Sequence, residues 1–537
     1  MSVRPAWCRA RGGGSGWVYD SRDRHRIAAL STPSPIAPIR SSRRPSPRRV
    51  SVRLAAAVAA LALVLQPAAG RAQVDNLPRL GDAGGEELSP VAERRLGEAI
   101  MRDLRRDPAV ADDVEVGEYL AALGGLLSQT PAAAGFGFEF FLVRDASLNA
   151  FALPGGFIGV HSGLIVASQT ESELASVLAH EIGHVTQRHI ARMLARQRQT
   201  SMVTLAATIL GALAARSNPQ AMVGVAAMAG GAQQQQMLAF SRDAEREADR
   251  VGLETLRAAG FEPAGMVAFF GRLQQASRLS ESSAPGYMRS HPLTAERIAD
   301  MQLRVQDERY RQRPDSLEFR LVRARLRALS STSVDGLRDT RALIERQLRE
   351  RSLNDELAAW FTIATAALAQ RDFAATGRAL SELRLRLPDS HPMVERLAAE
   401  ARLTAGDPAG ALALARSAAL RFPQARALIH LQGEALLATG DAPGAAQFLE
   451  EQIAAARTDI RLWRQLARAR ALLGQTALAH VATGEEYGLA GQWRAAVEQL
   501  RIARRLGTLD FYTGSQVDAR MREFETAFAQ EQREQPR

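Results

Sequence analysis

His180-Glu181-Ile182-Gly183-His184 is the segment from which the rest of this chain can be read. On a helix, positions four apart share a face. Two imidazoles placed there can bind one zinc ion through ring nitrogens at about 2.0–2.1 Å. Glu181 sits beside such an ion rather than facing it, which suits a base that takes a proton from the attacking water. Thr170 and Glu173 have capping-box spacing, so the helix is predicted to start after Ser168 and to run to about Arg196. Leu174, Val177 and Leu178 give it an apolar side. His189, five residues after His184 on a continuous helix, rotates off the ligand face.

A catalytic zinc takes three protein ligands and keeps a fourth position for water. The next predicted helix, from about Ser241 to Ala259 with a stop at Gly260, carries Ser241-Arg242-Asp243-Ala244-Glu245-Arg246-Glu247-Ala248-Asp249. Glu245 and Asp249 are four apart and share a face. Alone, this pattern would read as an exposed salt-bridged face. Behind the pentad, Glu245 is the natural third ligand, and Asp249 can accept from the second nitrogen of a ligand histidine. Glu247 falls off that face and reads as solvated.

Upstream, Phe136, Phe138 and Phe140 alternate with a period of two, a strand signal. Residues 149–161 read as two extended segments around a turn at Pro154-Gly155-Gly156. Downstream of the helices, residues 202–232 are apolar, interrupted by Arg216-Ser217-Asn218-Pro219, and each half is shorter than the roughly 20 residues a span requires. A buried or lid-forming helical hairpin is expected there, with peripheral membrane contact left open. Residues 277–290, with Pro285 and Gly286, read as a loop.

From about residue 350 the pattern repeats. Gly406-Asp407, Gly440-Asp441 and Gly474-Gln475 recur every 34 residues, each followed by Ala411, Ala445 or Ala479 at matching spacing. A 34-residue period with a Gly turn and a small residue in the next helix is that of tetratricopeptide repeats. The predicted fold class is therefore α+β, mostly α. A zincin-type peptidase domain with a small sheet and active-site helices precedes an all-α tetratricopeptide-type solenoid. The expected divisions are a leader over 1–72, a linker over 73–90, the peptidase over 91–310, a helical connector over 311–349, repeats over 350–515 and a tail over 516–537.

Composition removes other function classes. The net charge of +10 invites a nucleic-acid reading. Residues 1–72, however, hold 13 Arg against Asp20 and Asp23, which leaves the remainder at about −1. No nucleic-acid partner is expected. Cys8 is the only cysteine and lies in the leader, so a metal site must use His and carboxylates. Residues 54–65 form a 12-residue apolar run after Arg48, Arg49 and Arg53, followed by Pro67 and small residues. That describes a secretory signal peptide, cleaved after Ala72.

Four motifs in order make the resemblance plain. They are Asn149-Ala150-Phe151-Ala152-Leu153-Pro154-Gly155-Gly156, the pentad, the Ser241–Asp249 stretch and Ser290-His291-Pro292. The chain resembles the HtpX-like and CAAX-prenyl-protease-type gluzincins, most of all the periplasmic branch of beta-barrel assembly-enhancing proteases with C-terminal repeats. The resemblance spans roughly residues 90–300 and 350–510. It implies one Zn2+ held by His180, His184 and Glu245. It also implies that Asn149, Ala150, Phe151 and Ala152 belong to an edge strand that receives substrate. It further implies a periplasmic endopeptidase acting on unfolded or misassembled proteins in outer-membrane quality control, with a partner recruited by the repeats. His291 keeps three readings: a removable fourth ligand, a donor to the oxyanion together with Arg297, or a structural histidine at a turn. The rival function is a chaperone or scaffold working through the repeats with a latent peptidase site. A structural zinc site is a third reading.

Overall fold

The computed structural model describes residues 88–196, 242–279, 286–308, 313–331 and 333–534, all within one compact unit. The leader over 1–72, the linker up to residue 87 and the apolar stretch over 202–232 lie outside the described residues. Among the described residues no helix is long and apolar enough to cross a membrane.

The chain enters through α1 (Pro90–Leu104), β1 (Val110–Ala111) and α2 (Val114–Ser128). A sheet follows from β2 (Glu139–Val143), β3 (Ala150–Leu153) and β4 (Phe157–His161). Its order is β1-β2-β4-β3, with β2 parallel to β4 and both outer pairings antiparallel. β2 begins only at Glu139, so Phe136 and Phe138 precede the strand that their alternation predicts. Their rings instead run in a row with Phe140, successive centroids 6.4 Å apart. The predicted turn closes the β3–β4 hairpin, and Gly155 and Gly156 take φ of +76° and +89°, open at little cost only to glycine.

After α3 (Ser162–Ala167) comes α4 (Glu171–Thr186), the central helix of the peptidase region. Every residue from Glu171 to Val185 is buried, because β3, α2 and two later helices pack around it. Its N-cap is the predicted one: Thr170 accepts from the Glu173 N–H. Glu173 reaches back to the Gln169 N–H and is held on its other side by two bonds from Arg272. The helix does not continue to Arg196. It ends at Thr186, and Arg188 turns the chain with φ +50° before α5 (His189–Arg196) starts. The next helices are α6 (Arg242–Ala258), α7 (Ala264–Leu279), α8 (Gly286–Ser290) and α9 (Ala295–Val305). α8 lies in a stretch that reads as loop in the sequence.

Two connector helices, α10 (Leu317–Ala328) and α11 (Val334–Arg349), lead into five helix pairs. These are α12 (Glu356–Ala369) with α13 (Phe373–Arg386), α14 (Pro392–Thr404) with α15 (Pro408–Arg421), α16 (Arg426–Ala438) with α17 (Ala442–Ala455), α18 (Ile460–Leu472) with α19 (Thr476–Leu489), and α20 (Trp493–Arg505) with α21 (Phe511–Glu534). Gly406, Gly440 and Gly474 carry φ of +87°, +81° and +70° at the turns. Asp407 and Asp441 cap the helices that follow, accepting from Gly410 and Gly444 N–H. This is a helical-repeat solenoid. Residues 516–534 of the expected tail are helical, and Val517 and Phe524 are buried in one cluster with Trp493 packed against it.

The connector and the solenoid dock on the peptidase region through ion pairs and a hydrogen bond to α2 and its N-cap. Arg396 Nε donates to Glu115 at 2.7 Å and both are buried. Arg325 pairs with Asp113 at 2.9 Å, and the Arg426 N–H donates to Glu118 at 2.8 Å.

Candidate metal centre

The two central helices can touch because glycines face each other's backbones. A Cβ on Gly183 would lie 2.9 Å from the Ala248 carbonyl oxygen, and one on Gly252 would lie 3.0 Å from His180 backbone atoms. That approach of α4 to α6 brings Glu245 beside the pentad. A third contributor arrives from α8. The Tyr287 N–H donates to the Leu148 carbonyl at 3.1 Å, tying α8 to the residue before Asn149. The His291 N–H donates to the Tyr287 carbonyl at 2.8 Å, and the Tyr287 ring stacks on the imidazole.

One ligand-type atom each from His180, His184, Glu245 and His291 lies within 4.8 Å of all the others, and all four residues are buried. His184 Nε2 is 3.0 Å from His180 Nε2. His180 Nε2 is 3.4 Å from His291 Nδ1, which is 3.0 Å from Glu245 Oε1. His184 Nε2 is 3.4 Å from the same Oε1. Four donors set tetrahedrally at about 2.0–2.1 Å from one centre would be roughly 3.3 Å apart. The set therefore fits a small divalent ion. Glu181 is wholly buried beside it, and among the described residues neither of its carboxylate oxygens has a hydrogen-bond partner. The nearest ring nitrogen, His291 Nε2, is 3.5 Å away. A bare buried carboxylate is costly unless something polar occupies the space next to it.

Electrostatics lock this cluster. His180 Nδ1 is 2.9 Å from Asp249 Oδ1. Burial presses the His180 pKa down, but hydrogen bonds to Asp249 and Glu245 outweigh it and raise it to about 9. Burial pushes Glu245 up, yet the His291 charge and three imidazole contacts hold it well below the usual carboxylate range. His184 is held well below its ordinary value, chiefly by burial. Arg297 on α9 clasps Asp249 through two bonds, at 2.7 and 2.8 Å, and its Nη1 lies 2.7 Å from Glu245 Oε2. The same Nη1 donates to the Pro292 carbonyl at 2.8 Å. Through these contacts the Arg297 guanidinium ties the two carboxylates to the His291 segment.

The four substrate-strand candidates separate. β3 is an edge strand, and its Ala150, Phe151 and Ala152 are on it. Asn149 precedes the strand with its side chain buried, Nδ2 at 3.4 Å from His161 Nε2, so it supports the strand from behind. The His161 N–H donates to the Asn149 carbonyl, which makes 149–161 a hydrogen-bonded pair. Alternation along the ladder then turns the backbone groups of Ala150 and Ala152 to the side away from β4, which no other strand among the described residues pairs with.

Sequence reasoning missed two neighbours. His189 is no ligand, but it lies directly behind His184, its Nδ1 2.8 Å from His184 Nδ1. Glu247 is not simply solvated: its Oε2 is 3.1 Å from His189 Nε2 and accepts from Arg192 at 2.6 Å. No sequence signal marks the turn at Thr186-Gln187-Arg188 that carries His189 there, and the regular-helix arithmetic conceals it.

Against known proteins, residues 118–305 match the model of peptidase family M48. The putative beta-barrel assembly-enhancing protease of Vibrio cholerae is 32% identical over 463 residues, covering 85% of this chain and 93% of that one. This chain belongs to peptidase family M48. The beta-barrel assembly-enhancing protease of Escherichia coli K12 is 30% identical over 83% of this chain and 91% of its own length. A mitochondrial metalloendopeptidase, OMA1 of Schizosaccharomyces pombe, is 34% identical over 161 residues, 30% of this chain and 44% of that one. As an M48 member the chain is a metallopeptidase with protein substrates, and the family implies a divalent metal.

Proposed function

We propose that this chain is an exported, zinc-dependent endopeptidase that cleaves unfolded or misassembled proteins in the periplasm. His180, His184 and Glu245 would hold the zinc. When bound there, the ion supplies Lewis acidity, giving a nucleophile from water at neutral pH and stabilising charge on the scissile carbonyl. Glu181 takes the proton of the attacking water and passes it to the leaving nitrogen. Asp249 and Arg297 orient His180 and Glu245. Substrate enters as an extended strand along the edge of β3, bonding to the backbone of Ala150 and Ala152. Such pairing reads little side-chain sequence, which suits a protease of unfolded chains.

The observation that carries this reading is the buried four-atom cluster beside the Glu181 carboxylate, which accepts no hydrogen bond among the described residues. The donor set, His and carboxylate without sulfur, agrees with zinc in a peptidase. The signal-like leader and the names of the Vibrio and Escherichia relatives support a role in outer-membrane protein assembly. The repeats would recruit a protein partner on their concave face.

His291 is the fourth vertex of the cluster. That supports its reading as a removable ligand that occupies the water position and keeps the enzyme latent. The same observation lends weight to the scaffold reading, in which the site is used rarely. Zinc content and casein cleavage of the mature chain, wild type beside Glu181→Gln, test the proposal. Zinc in both with cleavage only in wild type is expected. Equal cleavage by both would overturn it.

A further inference from the structure

We propose that His189 and Glu247 act as a positioning pair that fixes the ring tautomer of His184 and so presents its Nε2 lone pair to the metal. This rests on the metal-site reading above and goes beyond it.

His184 needs a bare Nε2, because only an unprotonated ring nitrogen binds a metal. That nitrogen faces the cluster, 3.0 Å from His180 Nε2 and 3.4 Å from Glu245 Oε1. The opposite nitrogen, Nδ1, is 2.8 Å from His189 Nδ1. Two neutral imidazoles that meet there share one proton, so one ring donates and the other accepts. The far side of His189 decides which. Its Nε2 is 3.1 Å from Glu247 Oε2, and an ionised carboxylate only accepts. The Arg192 guanidinium, 2.6 Å from the same oxygen, pairs with that charge. His189 therefore carries its proton on Nε2 and offers a bare Nδ1. His184 must then carry its proton on Nδ1, which leaves Nε2 free.

On His180 the corresponding nitrogen, Nδ1, faces a carboxylate of α6, with Asp249 Oδ1 2.9 Å away. α6 thus orients both pentad histidines, one through Asp249 directly and one through Glu247 by way of His189. The relay exists because α4 stops at Thr186. Arg188, at φ +50°, is bonded to Glu93 Oε2 and the Leu88 carbonyl, and it turns His189 back beneath His184. The His189 side chain is only 1% exposed, so no water competes for this contact.

The test uses the full mature chain, with zinc affinity from chelator competition. Nitrogen-15 spectra of the metal-free chain read which nitrogen of His184 bears the proton. His189→Ala is expected to weaken zinc binding by about 10–100-fold and to shift His184 toward the Nε2–H form. His189→Gln should restore affinity to within a few-fold, because its carbonyl accepts from Nδ1–H while its amide donates to Glu247. Should His189→Ala fail to fold, Glu247→Gln takes its place. A side-chain amide can accept or donate, so this change removes the bias and should weaken zinc binding several-fold. The proposal is overturned by wild-type affinity and tautomer in His189→Ala, or by a His189→Gln chain as weak as the alanine variant. His184→Ala separates the two levels. If it loses zinc while His189→Ala does not, only the relay fails; if it binds like wild type, the metal site and the relay fail together.

Discussion

His291 Nδ1 stands 3.0 Å from Glu245 Oε1, so the segment after α8 ends inside the cluster built by α4 and α6. An imidazole there competes with water for the position that peptide hydrolysis needs. His291→Ala is therefore expected to keep zinc on three ligands and to raise casein cleavage, by roughly tenfold if the closed form is favoured by about 1.4 kcal/mol. The sign is decisive. Loss of an oxyanion donor would instead lower turnover by about 10²–10³-fold with zinc retained.

Arg297 holds Asp249 and lies 2.7 Å from Glu245 Oε2. Removing the guanidinium strands two buried carboxylates. Arg297→Leu should cost about 3–5 kcal/mol in the metal-free chain, seen as a lower urea midpoint. Zinc should recover part of the loss by mass action. Arg297→Lys should recover little, because an ammonium cannot bridge both carboxylates. An Arg297→Leu chain as stable as wild type would show that the brace contributes nothing.

The pentad, Glu245 and Asp249 were legible because a four-residue spacing on a helix fixes a shared face. His291 was legible as a candidate, but not in its role, since the approach of α8 depends on the Tyr287 to Leu148 bond. His189 stands outside the ligand cluster, as its spacing predicts, but its contact with His184 follows from a break in the helix that the sequence does not mark. The break is made by Arg188 at φ +50°, where no glycine announces it. The repeats were readable where glycine marks the turn. The first helix pair turns at Arg371, φ +59°, with no glycine to mark it. The ionic seam was invisible for a different reason: Arg396 and Glu115 are 281 residues apart, and neither differs locally from a solvated charge.

That seam gives a pH prediction. Asp113 caps α2 and pairs with Arg325. Burial pushes its carboxyl up, but the Arg325 charge and hydrogen bond, with the Val116 N–H, outweigh this and hold it below the ordinary value. A folded-state pKa below the unfolded one stabilises the chain above about pH 4, and that stability is lost as pH falls through the folded value. Asp113→Asn keeps the cap and loses the charge. It should cost about 1–3 kcal/mol at pH 7 and progressively less below pH 4, measured as a difference in urea midpoints. The difference matters, because burial raises the neighbouring Glu115 despite Arg396 and Arg325, and its protonation acts in the opposite sense. A gap that stays constant from pH 7 to 3 would sink the assignment.

Chelation separates a catalytic from a structural ion. In a structural site the metal holds the helices together, and removing it unfolds the domain. Here α4 and α6 meet through Gly183 and Gly252, the Arg297 and Asp249 bonds cross from α9, and α4 is buried along its length. None of these contacts involves a metal. A chain stripped by a chelator should keep its helical circular dichroism and lose all cleavage. Its stability should drop only by the binding linkage, about 2.7 kcal/mol at zinc a hundredfold above Kd. Activity should return on adding back zinc without a refolding lag. Collapse of the helical signal on chelation would instead assign the ion to the scaffold, and the peptidase reading would then have to rest on another site.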